Sequence, residues 1–258
     1  MEKKKSRIEI IDGLRGLSVV LMVIHHFLYN LVYELGAPEW LFSNPIFDFL
    51  QIIFVGVFLF VSGVSSRFSR SNVKRGLIAI ALAIVISAVT YLMGMPIWFG
   101  ILHLLGICMV FFGLTRKLWD LIPTKASPFI FIPLIVASAL ARSQLALTAS
   151  SLRGRNLLAI LGWPQRDRFL HGFDVTLLPW DEGFVHSSAD YQMLLPWLFV
   201  FMLGTWAGIH IRDGRLPARF YEQKIPYFPA AGRRALLIYM LHQPVLFSLV
   251  LGVRYLFF

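Results

Sequence analysis

The chain has 258 residues, 57% hydrophobic and only 15% charged, and its 24 Lys and Arg against 14 Asp and Glu give a net charge of +10. Soluble domains carry about a quarter charged residues, so the composition excludes an ordinary soluble globule, and equally a disordered or fibrous chain. Basic charge can signal nucleic acid, but here the basic residues punctuate long apolar runs instead of forming one patch. That excludes the nucleic-acid class and leaves an integral membrane protein, consistent with a mean hydropathy of +0.70.

In chain order, the opening MEKKKSRIEI has the basic character of a signal-peptide start. No small-residue cleavage site follows, and His25 and His26 interrupt the apolar stretch, so it reads as the flank of a retained span. Crossing a bilayer takes roughly 20 apolar residues in a helix. Segments 14–31, 46–64, 76–95, 97–114, 191–210 and 235–253 meet that test, and 128–141, short and with two prolines near its start, is the seventh candidate. For the seventh the competing reading is a re-entrant or core-buried segment. Cys108, the single cysteine, has no intrachain partner and reads as a small packing residue.

Seven spans with the N-terminus inside put eighteen of the 24 basic residues on the cytoplasmic side. The inner face then carries +12 and the outer face −2, as the positive-inside rule requires. Leaving out segment 128–141 would turn the basic 212–234 loop outward and break that bias. The expected architecture is therefore all-α: a polytopic helix bundle of about seven transmembrane helices, N-terminus cytoplasmic and C-terminus outside. It forms a single membrane domain over residues 1–258, with outer loop 143–190 as a lid. No internal repeat and no soluble second domain are visible, and nothing in the sequence speaks to oligomeric state.

Ionisable side chains inside spans are costly and mark candidate sites. They are His25 and His26 in the first span, His103 in the fourth and His242 in the seventh; for each, the competing reading is a neutral histidine bonding a neighbouring carbonyl or hydroxyl. At 100° per residue Arg15, Ser18, Met22, His26, Tyr29 and Tyr33 share one face. Arg15 and His26 are separated by roughly 16 Å of helix and about 20° of rotation. His25 points elsewhere, and Asp12 stands where it would cap the span.

One stripe thus joins a cation at the cytoplasmic edge to an imidazole within the membrane. Acyl-coenzyme A has the complementary shape, with anionic phosphates at one end and a reactive thioester on a long thin arm. Acyl transfer in turn needs a base or nucleophile near neutral pKa. Arg67, Arg70, Lys74, Arg75, Arg233 and Arg234 stand ready to complete a phosphate clamp; singly, each also reads as a topology signal near headgroups.

The run Ile11-Asp-Gly-Leu-Arg-Gly-Leu17 followed by His26 resembles the opening of the transmembrane acyltransferase superfamily, and Phe58-Leu-Phe-Val-Ser-Gly63 resembles its second-span signature. Phe99-Gly-Ile-Leu-His103, Leu194-Leu-Pro-Trp197 with Gly204, and Leu237-Ile-Tyr-Met-Leu-His-Gln-Pro244 narrow the likeness to the bacterial branch of the heparan-α-glucosaminide N-acetyltransferase catalytic-domain family. The matching pieces touch six of the seven segments, in order.

The resemblance implies a membrane enzyme that moves an acetyl group from cytosolic acetyl-CoA to a sugar, at an amine or hydroxyl, of an extracytoplasmic glycan. It implies His26 as the catalytic residue paired with Arg15, and Arg67 and Arg70 as the superfamily's Arg-x-x-Arg. The chain shows no lysosomal context, so the lysosomal substrate does not carry over, and the basic N-terminus and small size suit a multi-pass protein of a bacterial plasma membrane. On this reading His26, His103 and His242 are the catalytic candidates, and Arg15, Arg67, Arg70, Arg233 and Arg234 hold the acetyl-CoA co-substrate. Trp163, Trp180, Asp181, Asp190 and Tyr191 offer aromatic faces and carboxylates to the sugar. No metal is expected, since no thiol or carboxylate stands at ligand spacing from the histidines. The competing classes are a small transporter or flippase with a histidine proton relay, and a non-catalytic partner of a glycan-assembly enzyme.

Overall fold

The computed structural model describes residues 8–92, 97, 99–145, 192 and 194–257. Among the described residues regular structure is helical, with no strand. Helix α1 spans Glu9–Leu35, starting after extended Ile8 and ending at Gly36, whose φ of 68° is the left-handed conformation that glycine adopts without a Cβ clash. Asp12 does not cap this helix from outside as expected. The helix begins three residues earlier, so Asp12 lies in its first turn and its carboxylate accepts a hydrogen bond from Arg15 at 3.0 Å.

Helix α2, Pro45–Ser66, is capped by Asn44, whose side-chain oxygen accepts from the N–H groups of Ile46 and Phe47 at 3.1 Å. Helices α3 (Asn72–Leu92), α4 (Ile101–Trp119) and α5 (Ser127–Leu145) follow. After them come α6 (Trp197–Arg212), two short helices α7 (Ala218–Glu222) and α8 (Phe228–Arg233), and α9 (Ala235–Phe257).

Among the described residues five helices are long and apolar enough to cross a membrane: α1, α2 with the turn before it, α3, α4 and α9. The other two expected spans correspond to shorter apolar stretches among the described residues. In the 191–210 segment α6 starts directly after Pro196 and has 16 residues. In α5 the apolar stretch is Ser127–Ala139, with Pro133 inside the helix. Most of loop 143–190 lies outside the described residues.

The chain divides into two compact units, Met1–Val61 with Ile209–Phe258, and Ser62–Gly208. In the first, α1 packs against α8 and α9. Its crossing with α8 is backbone on backbone. A Cβ on Gly16 would stand 1.9 Å from the Phe228 carbonyl oxygen, and one on Gly232 1.8 Å from that of Asp12. Small residues at a helix crossing are the usual means of close approach where lipid offers no hydrophobic drive. The Glu9 carboxylate ties the segment before α8 to the start of α1 by accepting from the Ile225 N–H at 3.2 Å. In the second unit the same device recurs: α3 and α4 meet at Gly76 and Gly106, and the last turn of α2 crosses α6 at Gly63 and Gly208.

Candidate functional site

The crossing at Gly16 and Gly232 sets α1 against α8, three residues ahead of the start of α9. Ten residues beyond each glycine stand His26 and His242, and their rings contact edge to face with centroids 4.9 Å apart. Both are buried. Nδ1 of His26 lies 2.9 Å from the Met22 carbonyl oxygen, and Nδ1 of His242 lies 2.7 Å from that of Tyr239. A carbonyl oxygen only accepts, so Nδ1 carries the proton in both rings. In the neutral imidazole Nε2 then holds the lone pair. Each ring is thus held by its own helix in the tautomer that makes Nε2 a base.

One turn beyond His26 a second contact joins the same helices: the Asn30 Nδ2–H donates to the Gln243 side-chain oxygen at 3.1 Å. Asn30 is buried. The buried face of α1 therefore runs through Ser18, Met22, His26 and Asn30, while Tyr33, expected on the same stripe, is exposed. The drift follows from helix geometry: the i, i+4 row from Met22 leads to Asn30 and away from residue 33. His25 packs on Phe42 and Phe54, with ring centroids 4.8 and 5.7 Å away.

Arg15 sits one residue before Gly16, and Arg233 and Arg234 follow Gly232 directly, so the glycine crossing brings these three cations to one end of the α1–α9 pair. Arg233 and Arg234 are exposed.

His103 and Arg67 belong to the second unit and are differently engaged. The Gly100 N–H donates to His103 Nδ1 at 3.2 Å, which leaves the proton on Nε2, facing Ser87 Oγ at 3.3 Å. The Ser87 hydroxyl in turn donates to the Ile97 carbonyl. Both imidazole nitrogens are spent on closing the entrance of α4, opposite in tautomer to His26 and His242. Arg67 is buried in the turn after α2. Its Nε–H donates to the Thr205 carbonyl at 2.9 Å, it forms an ion pair with Asp120, and its guanidinium lies 4.8 Å over the Phe112 ring. Arg70, three residues on, is exposed.

The sequence model for the catalytic region of heparan-alpha-glucosaminide N-acetyltransferase matches residues 7–244. The chain belongs to that family. Its members are membrane acetyltransferases, and the apolar helices fit a multi-pass protein of that kind. Among curated proteins and among solved structures nothing matches.

The family match takes in His26, His103 and His242, and ends at residue 244 within α9. Trp163, Trp180, Asp181, Asp190 and Tyr191, expected to hold a sugar, lie outside the described residues. Among those described, no three His, Cys, Asp or Glu side chains gather to hold a metal ion. Asn30 and Gln243 were not singled out by sequence. Asn30 could have been, as a polar residue in a span four positions after His26. Gln243 was hidden inside a motif whose histidine drew the attention.

Proposed function

We propose that the protein transfers the acetyl group of cytosolic acetyl-CoA to an amine or hydroxyl of an extracytoplasmic sugar, at a site centred on His26. The observation that carries this reading is the fixed tautomer of His26, buried beside His242 on a helix whose start bears Arg15. Membership of an acetyltransferase family favours it over the transporter and non-catalytic readings.

In this mechanism the CoA phosphates lie on Arg15, Arg233 and Arg234. The thioester reaches along α1 to His26. Nε2 of His26 takes the proton of the attacking amine or hydroxyl, and the Met22 carbonyl, bonded to Nδ1–H, steadies the imidazolium that forms. We assign His103 to holding the entrance of α4, and Arg67 to tying the turn after α2 to Thr205 and Asp120, leaving neither for the chemistry. The five sugar-binding candidates from Trp163 to Tyr191 keep that assignment.

Purified protein in detergent, given radiolabelled acetyl-CoA and an amino-sugar series, is expected to release CoA with label appearing in the sugar; His26→Ala should abolish this. If wild-type protein neither binds acetyl-CoA nor transfers label, the reading falls. An acetyl group trapped on the enzyme in the absence of sugar would move His26 from base to nucleophile.

A further inference from the structure

Acyl transfer passes through a tetrahedral species whose carbonyl oxygen carries negative charge, and a site that accelerates it places hydrogen-bond donors at that oxygen. The described side chains next to the histidine pair include one group with such donors. Asn30 gives its N–H to the oxygen of the Gln243 carboxamide at 3.1 Å. That bond settles which way round the Gln243 amide lies: its oxygen is turned to Asn30, and its amino group, with two N–H donors, faces away from that bond. No hydrogen bond among the described residues takes those two hydrogens.

Gln243 follows His242, whose ring touches His26, and Asn30 stands one turn, about 6 Å, along α1 from His26. A carbonyl group bridging such a gap puts its carbon near an imidazole and its oxygen near an amide. Asn30 is buried and Gln243 half-buried; water supplies few competing donors there.

From this arrangement we infer that Gln243 is the oxyanion donor of the site, and that Asn30 is the positioning residue that orients its amide. The inference rests on the acetyl-transfer reading above. In the step, the heteroatom of the acceptor bonds to the thioester carbon as its proton passes to Nε2 of His26, and the C=O π pair moves onto oxygen, where the Gln243 N–H groups meet it. When the pair returns, the C–S bond breaks, and the CoA thiolate leaves with the proton from His26.

The test compares steady-state kinetics of wild type, Gln243→Met, Gln243→Glu and Asn30→Asp, with melting temperature read on each. Gln243→Met keeps the side-chain length and removes both donors, whereas Gln243→Glu substitutes oxygen for nitrogen. Asn30→Asp cannot donate, and its carboxylate draws the Gln243 amino group toward itself, reversing the amide. All three are expected to lower kcat about a hundredfold or more with the KM for acetyl-CoA within twofold of wild type. A merely structural amide bridge would instead lower the melting temperature and leave kcat of the folded fraction within about threefold; that result overturns the inference while leaving the acetyl-transfer reading in place. A wild type that transfers no acetyl group overturns both.

Discussion

A neutral histidine has one proton and two ring nitrogens, so the group facing one nitrogen decides what the other can do. Met22 and Tyr239 each present a carbonyl to Nδ1 and so leave Nε2 basic in His26 and His242. Gly100 presents an N–H to Nδ1 of His103 and so turns its Nε2 into a donor toward Ser87. This separates residues that looked equivalent as letters in apolar runs. His26→Gln is expected to cost at least about a hundredfold in kcat. By contrast, His103→Gln should keep kcat within about fivefold and lower the melting temperature, and turnover beside thermal melts in detergent checks both. The ion pair of Arg67 makes a second expectation at this scale. The Arg67 side chain is 3% exposed and Asp120 44%, so loss of the carboxylate is felt mainly on the buried side. Asp120→Asn should destabilise by about 2 kcal/mol, read as a lower melting temperature with the KM for acetyl-CoA unchanged.

At the scale of the element, apolar runs and their breakers were enough to place α1 to α5 and α9 to within several residues. The start of α6 was missed because the apolar content continues through Pro196 while the helix does not. What the runs could not tell was which helices touch. The close approach of α1 and α8, which sets the start of α9, depends on two glycines 216 positions apart, and a glycine in a string of small and apolar residues carries no mark that a backbone oxygen lies against it. The candidate site was legible to the same extent: His26 and His242 stood out as polar residues in spans, but their contact, and the Asn30–Gln243 rung beside it, follow from the crossing. Gly16→Ala and Gly232→Ala each place a methyl within 2 Å of a backbone oxygen. Overpacking with so little room to give is expected to cost about 3 kcal/mol and to separate the histidines. Gly252→Ala in α9 meets nothing within 4 Å and should be neutral or slightly stabilising. Monodispersity and melting temperature of the three variants distinguish these outcomes.

For the whole molecule, the paired rungs have a bearing on topology. Gly16 lies at Gly232, just before α9, and His26 with His242 and Asn30 with Gln243 follow in the same order along α1 and α9, so α1 and α9 run parallel and enter the membrane from the same side. An even number of crossings must then separate their starts. Six, counting α5 and α6, gives seven spans in all; four, counting neither, gives five; a six-span chain does not fit. The distribution of basic residues supports seven, with loop 143–190 outside. In a Cys108→Ser background, a cysteine placed at Ser187 is expected to react with a membrane-impermeant reagent added outside intact cells. A cysteine at Gln223 should react only after permeabilisation. Protection of both in intact cells would favour five spans.

The glycine crossing of α1 with α8 also governs how α1 and the α9 that follows it can move. Backbone packed directly on backbone has no side chain that can rotate aside, so sliding one helix along the other is obstructed at that point. Rotation about it is not, and the crossing behaves as a pivot just ahead of the start of α9. Displacement about a pivot grows with distance from it, so the helices splay most at their far ends, and the amide rung, lying farther out than the imidazoles, opens before the histidines part.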